Sequence, residues 1–126
     1  MSTGRRAARR TALFLLYQWD VTGQPLASLY EGEIDPFARE LAEAVVARAE
    51  ELDQKISDAS EGWPADRLGA LERNVLRIGV QELDLGEVPV EVAIDEAVSL
   101  AKRYASDEAD RLVNGILGRI AREKAA

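Results

Sequence analysis

Apolar residues recur at intervals of three and four positions along almost the whole chain, which places them on one face of an α-helix. No run alternates between apolar and polar residues as a half-buried strand does. The pattern predicts an all-α protein of about six or seven helices. The apolar stripes are Ala8, Ala12, Leu15, Leu16 and Trp19; Phe37, Leu41, Val45, Leu52 and Ile56; Leu68, Leu71, Val75, Ile78 and Leu83; Val92, Ala93, Ala97, Leu100 and Ala101; and Leu112, Val113, Ile116, Leu117 and Ile120.

Residues typical of helix ends divide this pattern into elements. Asp35 precedes a proline, so we expect Asp35 to be the N-cap of a helix and the proline to be its first residue. Asp66 is expected to cap the next long helix and Ser106 the last one. Gly23 and Gly86 are expected to end helices, because glycine readily adopts the conformation that follows a helix. A short helix is predicted over residues 26–30, and one apolar face runs from 37 to 56.

The charge of the chain is strongly polarised. Residues 1–19 hold four arginines and no acidic residue, whereas the rest carries a net charge of −11, for a total of −7. The arginines are Arg5, Arg6, Arg9 and Arg10, and Tyr17 lies about two helical turns beyond the last two. Arginine binds phosphate oxygens and stacks on bases, so this segment favours single-stranded nucleic acid. A solvated arm that only aids solubility is the alternative.

Composition excludes several classes of function. The chain has no cysteine and no histidine, so disulfides, thiolate nucleophiles and His-ligated metal sites are absent. We expect no catalysis, no cofactor and no metal. A chain of 126 residues is expected to form one domain over 1–126, with 1–19 as its basic segment. No window approaches the roughly 20 apolar residues of a membrane span, and a cytoplasmic location is expected.

Three polar residues are not explained by helical periodicity. These are Glu96, Lys102 and Asn114, which lie in otherwise apolar helical stretches. Glu96 and Lys102 are not at ion-pair spacing on a helix. Asn114 is unfavourable inside a helix, so its amide is expected to bond either a buried backbone group or a ligand.

Four motifs, taken in order, resemble those of the bacterial transcription antitermination factor NusB. They run from about residue 5 to residue 122, nearly the whole chain. The motifs are Arg5-Arg6-x-x-Arg9-x-x-Ala12-x-x-x-Leu16-Tyr17-x-Trp19; Leu71-Glu72-Arg73-Asn74-Val75-Leu76-Arg77-Ile78; Val88-Pro89-x-x-Val92-Ala93-Ile94-x-Glu96-Ala97; and Val113-Asn114-Gly115-Ile116-Leu117.

The resemblance implies an all-α fold of two small packed helical bundles. It implies binding to boxA, a short single-stranded RNA element of ribosomal RNA transcripts, together with NusE, a small-subunit ribosomal protein. It also implies assembly with RNA polymerase, NusA and NusG, without catalysis and without a membrane. Some members form homodimers.

Site residues follow from the same resemblance. RNA contacts are implied for Arg5, Arg6, Arg9, Arg10 and Tyr17, and for Arg111 and Leu112 before the Val-Asn-Gly motif. Contacts to NusE are implied for Glu72 and, as a second candidate, Asp66. The family often has a phenylalanine at the position of Leu112 and an aromatic residue at that of Gln81. An aliphatic leucine cannot stack on a base as an aromatic ring does.

A different class of function is also compatible with the sequence. The chain is then a helical protein-interaction or dimerisation module with no specific RNA binding, whose basic arm serves a protein partner. Self-association is expected in that case, and RNA binding is expected only after a partner has been added.

Overall fold

The computed structural model describes residues 3–61 and 63–126, and within them the fold is all-α. Met1 and Ser2 of the predicted basic segment lie outside the described residues. Six α-helices are joined by short connections, two of which contain a 3₁₀ turn, over Leu26–Leu29 and Ala65–Arg67. The helices are α1 (Thr3–Thr22), α2 (Pro36–Ala47), α3 (Ala49–Ala59), α4 (Ala70–Leu85), α5 (Val90–Tyr104) and α6 (Ala109–Ala125).

Most predicted helix ends are confirmed. The Asp35 carboxylate accepts the backbone N–H groups of the second and third residues of α2, at 2.8 and 3.3 Å. Gly86 follows α4 with a φ of +71°, a left-handed conformation that glycine adopts without a Cβ penalty. The Ser106 hydroxyl accepts the N–H of Ala109, the first residue of α6, at 3.1 Å.

Two expectations about helix boundaries are wrong. Asp66 does not cap α4, because it lies in the 3₁₀ turn and the extended residues Leu68 and Gly69 separate it from the helix. The apolar face from 37 to 56 is split between two helices, since the backbone leaves the helical conformation at Arg48, with a φ of −113°. The Arg48 guanidinium bonds Glu51 and, from α4, Asp84, so tertiary contacts hold the break in place.

The expected all-α architecture is confirmed: α1 packs against α2, α5 packs against α6, and α3 packs against α4 and α6. α4 packs against each of the other five helices and is the centre of the molecule. Its approach to α6 is close at Gly79, where a Cβ would lie 2.6 Å from the Leu117 Cδ1 atom. Trp19, expected in the core, is half-buried and packs against it.

A hydrogen-bonded ion network links α1, α3 and α4. Arg77 bonds both Asp53 carboxylate oxygens at 2.7 Å and donates to Asp20 at 3.1 Å. Arg73 and Asn74 donate to the same Asp20 oxygen at 2.8 and 3.0 Å. Burial alone would raise the pKa of Asp20, but these donors and the two arginine charges lower it below its ordinary value. The network therefore fixes the end of α1 against the central helix.

Candidate nucleic-acid interface

The arginines of α1 point in different directions because successive residues turn by about 100° around a helix. Arg6 and Arg10 face α5 and are exposed, Arg6 to 79% of its side-chain surface. Arg5 lies on another side, with its guanidinium 4.7 Å from the centre of the Phe37 ring. Arg9 lies between them and is buried. The four arginines, although adjacent in sequence, therefore form no single continuous surface.

Arg9 is engaged inside the protein. Its guanidinium donates to both carboxylate oxygens of Glu82 on α4, at 2.7 and 2.9 Å, and only about 5% of either side chain is exposed. Burial alone would lower the pKa of Arg9, but the hydrogen bonds and charge of Glu82, with the charge of Glu96, raise it above its ordinary value. Arg9 is thus a permanent cation bonded internally, and in this conformation it does not present its guanidinium to an external phosphate.

Arg6 and Arg10 border a cleft of about 300 Å³ between α1 and α5. Arg9 is balanced by Glu82, but the other three arginines there face one carboxylate, so the cleft is cationic although the chain as a whole is acidic. Such a local concentration of positive charge attracts anions. The lining residues are Arg6, Arg9, Arg10, Glu96, Ser99, Leu100, Arg103 and Tyr104.

An aromatic pair, with Phe14 exposed and Tyr104 half-buried, lies beside the cleft. The rings of Phe14 and Tyr104 meet edge to face, with centroids 5.1 Å apart, and Phe14 is 42% exposed. The Arg103 guanidinium lies 5.6 Å from the centre of the Tyr104 ring. Tyr17, predicted from sequence, is 39% exposed on the same helix as Phe14. Bases of a single strand stack on exposed rings of this kind.

Sequence reasoning missed Phe14, Arg103 and Tyr104. A signal for Phe14 was present, because Arg10, Phe14 and Tyr17 are spaced by four and three residues and therefore share a face of the helix. Arg103 and Tyr104 carry no such signal. They reach the cleft only because α5 places its last turn beside α1.

The other predicted RNA contacts lie on α6. Arg111 and Leu112 are exposed in the first turns of that helix, just after the connection from the end of α5. Asp110 accepts the backbone N–H of Arg111 at 2.7 Å and is half-buried. Asn114 is exposed, and its amide bonds nothing among the described residues, so the expectation of a buried hydrogen bond for it is wrong.

The predicted partner residues lie at the other end of the central helix. Glu72 is half-buried in the first turn of α4, and Asp66 is exposed in the preceding 3₁₀ turn. Ten residues separate Glu72 from Glu82, the α4 residue that bonds Arg9, which corresponds to about 15 Å along the helix axis. The candidate RNA and partner surfaces are therefore distinct.

These features define an all-α protein with a cationic cleft edged by aromatic rings. No helix in 3–61 or 63–126 is both long and apolar enough to cross a membrane. The family model of the NusB family matches residues 6–122. The chain belongs to the NusB family.

Individual relatives agree with this assignment. The transcription antitermination protein NusB of Rubrobacter xylanophilus is 42% identical over 120 residues, which cover 90% of this chain and 86% of the relative. That of Solibacter usitatus is 37% identical, with 94% and 89% covered.

Solved structures share the fold. A structure of the antitermination factors NusB and NusE in complex with double-stranded RNA superposes with a TM-score of 0.84 at 33% identity, covering 98% of this chain and 99% of that one. T. maritima NusB gives a TM-score of 0.84, also at 33% identity, with 94% and 91% covered.

Proposed function

We propose that this chain is a transcription antitermination factor that binds boxA-type single-stranded RNA together with NusE during ribosomal RNA transcription in the cytoplasm. The observation that carries the proposal is the α1–α5 cleft, where the guanidinium groups of Arg10 and Arg103, neither in an ion pair within 3–61 and 63–126, lie beside the Phe14–Tyr104 pair. A positive groove with adjacent rings is the combination that single-stranded nucleic acid requires.

Within this proposal the arginines have two different roles. Arg6, Arg10 and Arg103 contact backbone phosphates, and Phe14, Tyr17 and Tyr104 offer rings to the bases. Arg5, on another side of α1, and Arg111 and Leu112 on α6 are further RNA contacts outside the cleft. Arg9 is not a direct contact but holds α1 against α4 through its bonds to Glu82.

NusE binds elsewhere on the molecule in this proposal. Its surface is the start of α4, with Glu72 and Asp66 as acidic contacts. The separation from the cleft along α4 allows RNA and NusE to be held at the same time. The solved relative that contains NusB, NusE and double-stranded RNA supports an assembly of the three components.

Membership of the family supports a larger assembly. The chain acts as one domain over residues 1–126, with its basic segment 1–19 at the RNA, and has no catalytic role. It joins RNA polymerase with NusA and NusG. In the absence of RNA, the chain forms a homodimer if a second copy covers the arginine surface.

A binding titration tests the proposed function. A labelled boxA-type RNA is titrated with the protein, with and without NusE, beside a scrambled RNA of equal length and a double-stranded form of boxA. We expect the single-stranded boxA-type RNA to bind most tightly and NusE to strengthen that binding. Equal, weak binding to all three RNAs even with NusE would overturn the proposal and favour the interaction or dimerisation module. That alternative predicts a stable dimer in size-exclusion chromatography.

A further inference from the structure

Glu96 is the one acidic residue among those that line the cationic cleft. It lies on α5, and only 18% of its side chain is exposed. Helical periodicity does not account for it, since its helix buries its apolar face through Ala93, Ala97, Leu100 and Ala101. A carboxylate that faces arginines in a proposed phosphate-binding cleft fills space that a phosphate would take. It also neutralises positive charge that would attract the phosphate.

The contacts of Glu96 are made to the arginines themselves. One carboxylate oxygen accepts from the Arg6 Nε atom at 3.1 Å, and the other lies 3.9 Å from a terminal nitrogen of Arg9. Arg9 makes its two short hydrogen bonds to Glu82, and Glu96 is a second, more distant negative charge for it. Arg6, by contrast, is 79% exposed and makes its only ion pair among the described residues with Glu96.

We propose that Glu96 is an internal competitor of RNA, whose carboxylate holds Arg6 until a backbone phosphate replaces it. A carboxylate and a phosphate present the same kind of oxygen acceptor to a guanidinium, and phosphate is also bound bidentately. The exchange breaks one exposed ion pair and forms another, so its net cost is small for a polyanion with several contacts. A single anion gains too little from the cleft to displace Glu96. The competition therefore favours extended nucleic acid over isolated phosphate.

This inference rests on the proposed function. It predicts that a substitution in the RNA-binding cleft strengthens RNA binding, whereas a change in a binding site ordinarily weakens it. Glu96→Gln removes the charge but keeps the shape of the side chain. We expect it to bind boxA-type RNA about two- to fivefold more tightly than the unchanged protein, the factor that corresponds to one exposed ion pair. The gain should shrink as salt is raised from about 0.01 M to about 0.15 M, because the Debye length falls from roughly 30 Å to 8 Å.

Three further variants, Glu91→Gln, Arg6→Ala and Arg6→Ala combined with Glu96→Gln, separate competition from a change in total charge. Glu91→Gln removes the same charge from the same helix, at an exposed residue with no ion pair in the described part of the chain, and should change affinity less. In an Arg6→Ala background, Glu96→Gln should give little gain, because the arginine for which it competes is absent.

The experiment is a fluorescence anisotropy titration of labelled boxA-type RNA with all five proteins in the presence of NusE, after thermal unfolding has shown that each is folded. Weaker binding by Glu96→Gln would overturn the proposal and make Glu96 a residue that positions Arg6 for RNA. An equal gain with Glu91→Gln, or an undiminished gain without Arg6, would overturn it as well. If the unchanged protein fails to bind this RNA, the proposed function fails first and this inference with it.

Discussion

Replacing Arg9 by alanine is expected to destabilise the fold, although the sequence places this residue in a stretch of exposed cations. The change removes two hydrogen bonds, of 2.7 and 2.9 Å, and leaves the Glu82 carboxylate inside the protein without its partner. About 5% of each side chain is exposed, so solvent cannot take the place of the lost guanidinium. Breaking a buried ion pair by removing one partner costs about 3–5 kcal/mol.

That loss is large enough to measure easily. For a chain of this size it corresponds to a fall in Tm of roughly 10–20 °C. The assay is thermal unfolding followed by far-UV circular dichroism, with urea unfolding to obtain the free energy. Arg10→Ala is the matched control, because Arg10 is exposed and a surface change of this kind costs within about 0.5 kcal/mol.

A double replacement checks the physical reason. Arg9→Met combined with Glu82→Leu removes both charges and fills the space with apolar atoms, so it should recover much of the loss. A loss of less than about 1 kcal/mol for Arg9→Ala would refute the reasoning, since the pair would then be solvated and free to open. Arg9 would in that case return to the set of direct RNA contacts.

Four other substitutions test three separate parts of the structure. Gly79→Ala should cost about 1–3 kcal/mol in urea unfolding, because the new Cβ meets Leu117, whereas Gly115→Ala, which meets nothing, should be neutral or stabilising. Burial alone would raise the pKa of Asp84, but the cations around it hold that pKa well below its ordinary 3.8. The charged carboxylate therefore stabilises the fold at pH values above about 4, and this stabilisation is lost as the pH falls further. The Tm difference between the unchanged protein and Asp84→Asn should therefore be largest near pH 7 and shrink below about pH 4; a constant difference would contradict this. Phe14→Ala should leave Tm nearly unchanged and weaken RNA binding by roughly 1–3 kcal/mol, the usual value for one stacked base; unaltered affinity would remove Phe14 from the interface.

The fold could be predicted largely from local signals. The 3.6-residue period, the Asp35 cap and the glycine after α4 each depend on a few neighbouring residues, and each is confirmed. The break at Arg48 could not be predicted in this way. Apolar periodicity continues across it, and the contacts that hold it come from Asp84, which is 36 positions away.

The candidate site shows the same limit. Helical spacing alone separates Arg5 from Arg10 around α1, so the division of the arginine cluster was available from the sequence. The burial of Arg9 was not, because it depends on Glu82, a residue 73 positions away on another helix. Charge patterns locate a basic segment, but tertiary packing decides which of its cations remain free.

The most direct test of the account is the salt dependence of RNA binding by an Arg6→Gln, Arg10→Gln double variant. It is compared with the unchanged protein and with an Arg39→Gln, Arg122→Gln double variant, which removes two exposed arginines outside the cleft. The account predicts weaker binding of boxA-type RNA by the cleft variant alone, with a slope of log affinity against log salt that is shallower by about 1.4, from roughly 0.7 per phosphate. Equal affinity and slope in all three proteins would contradict the assignment of the α1–α5 cleft as the RNA-binding site.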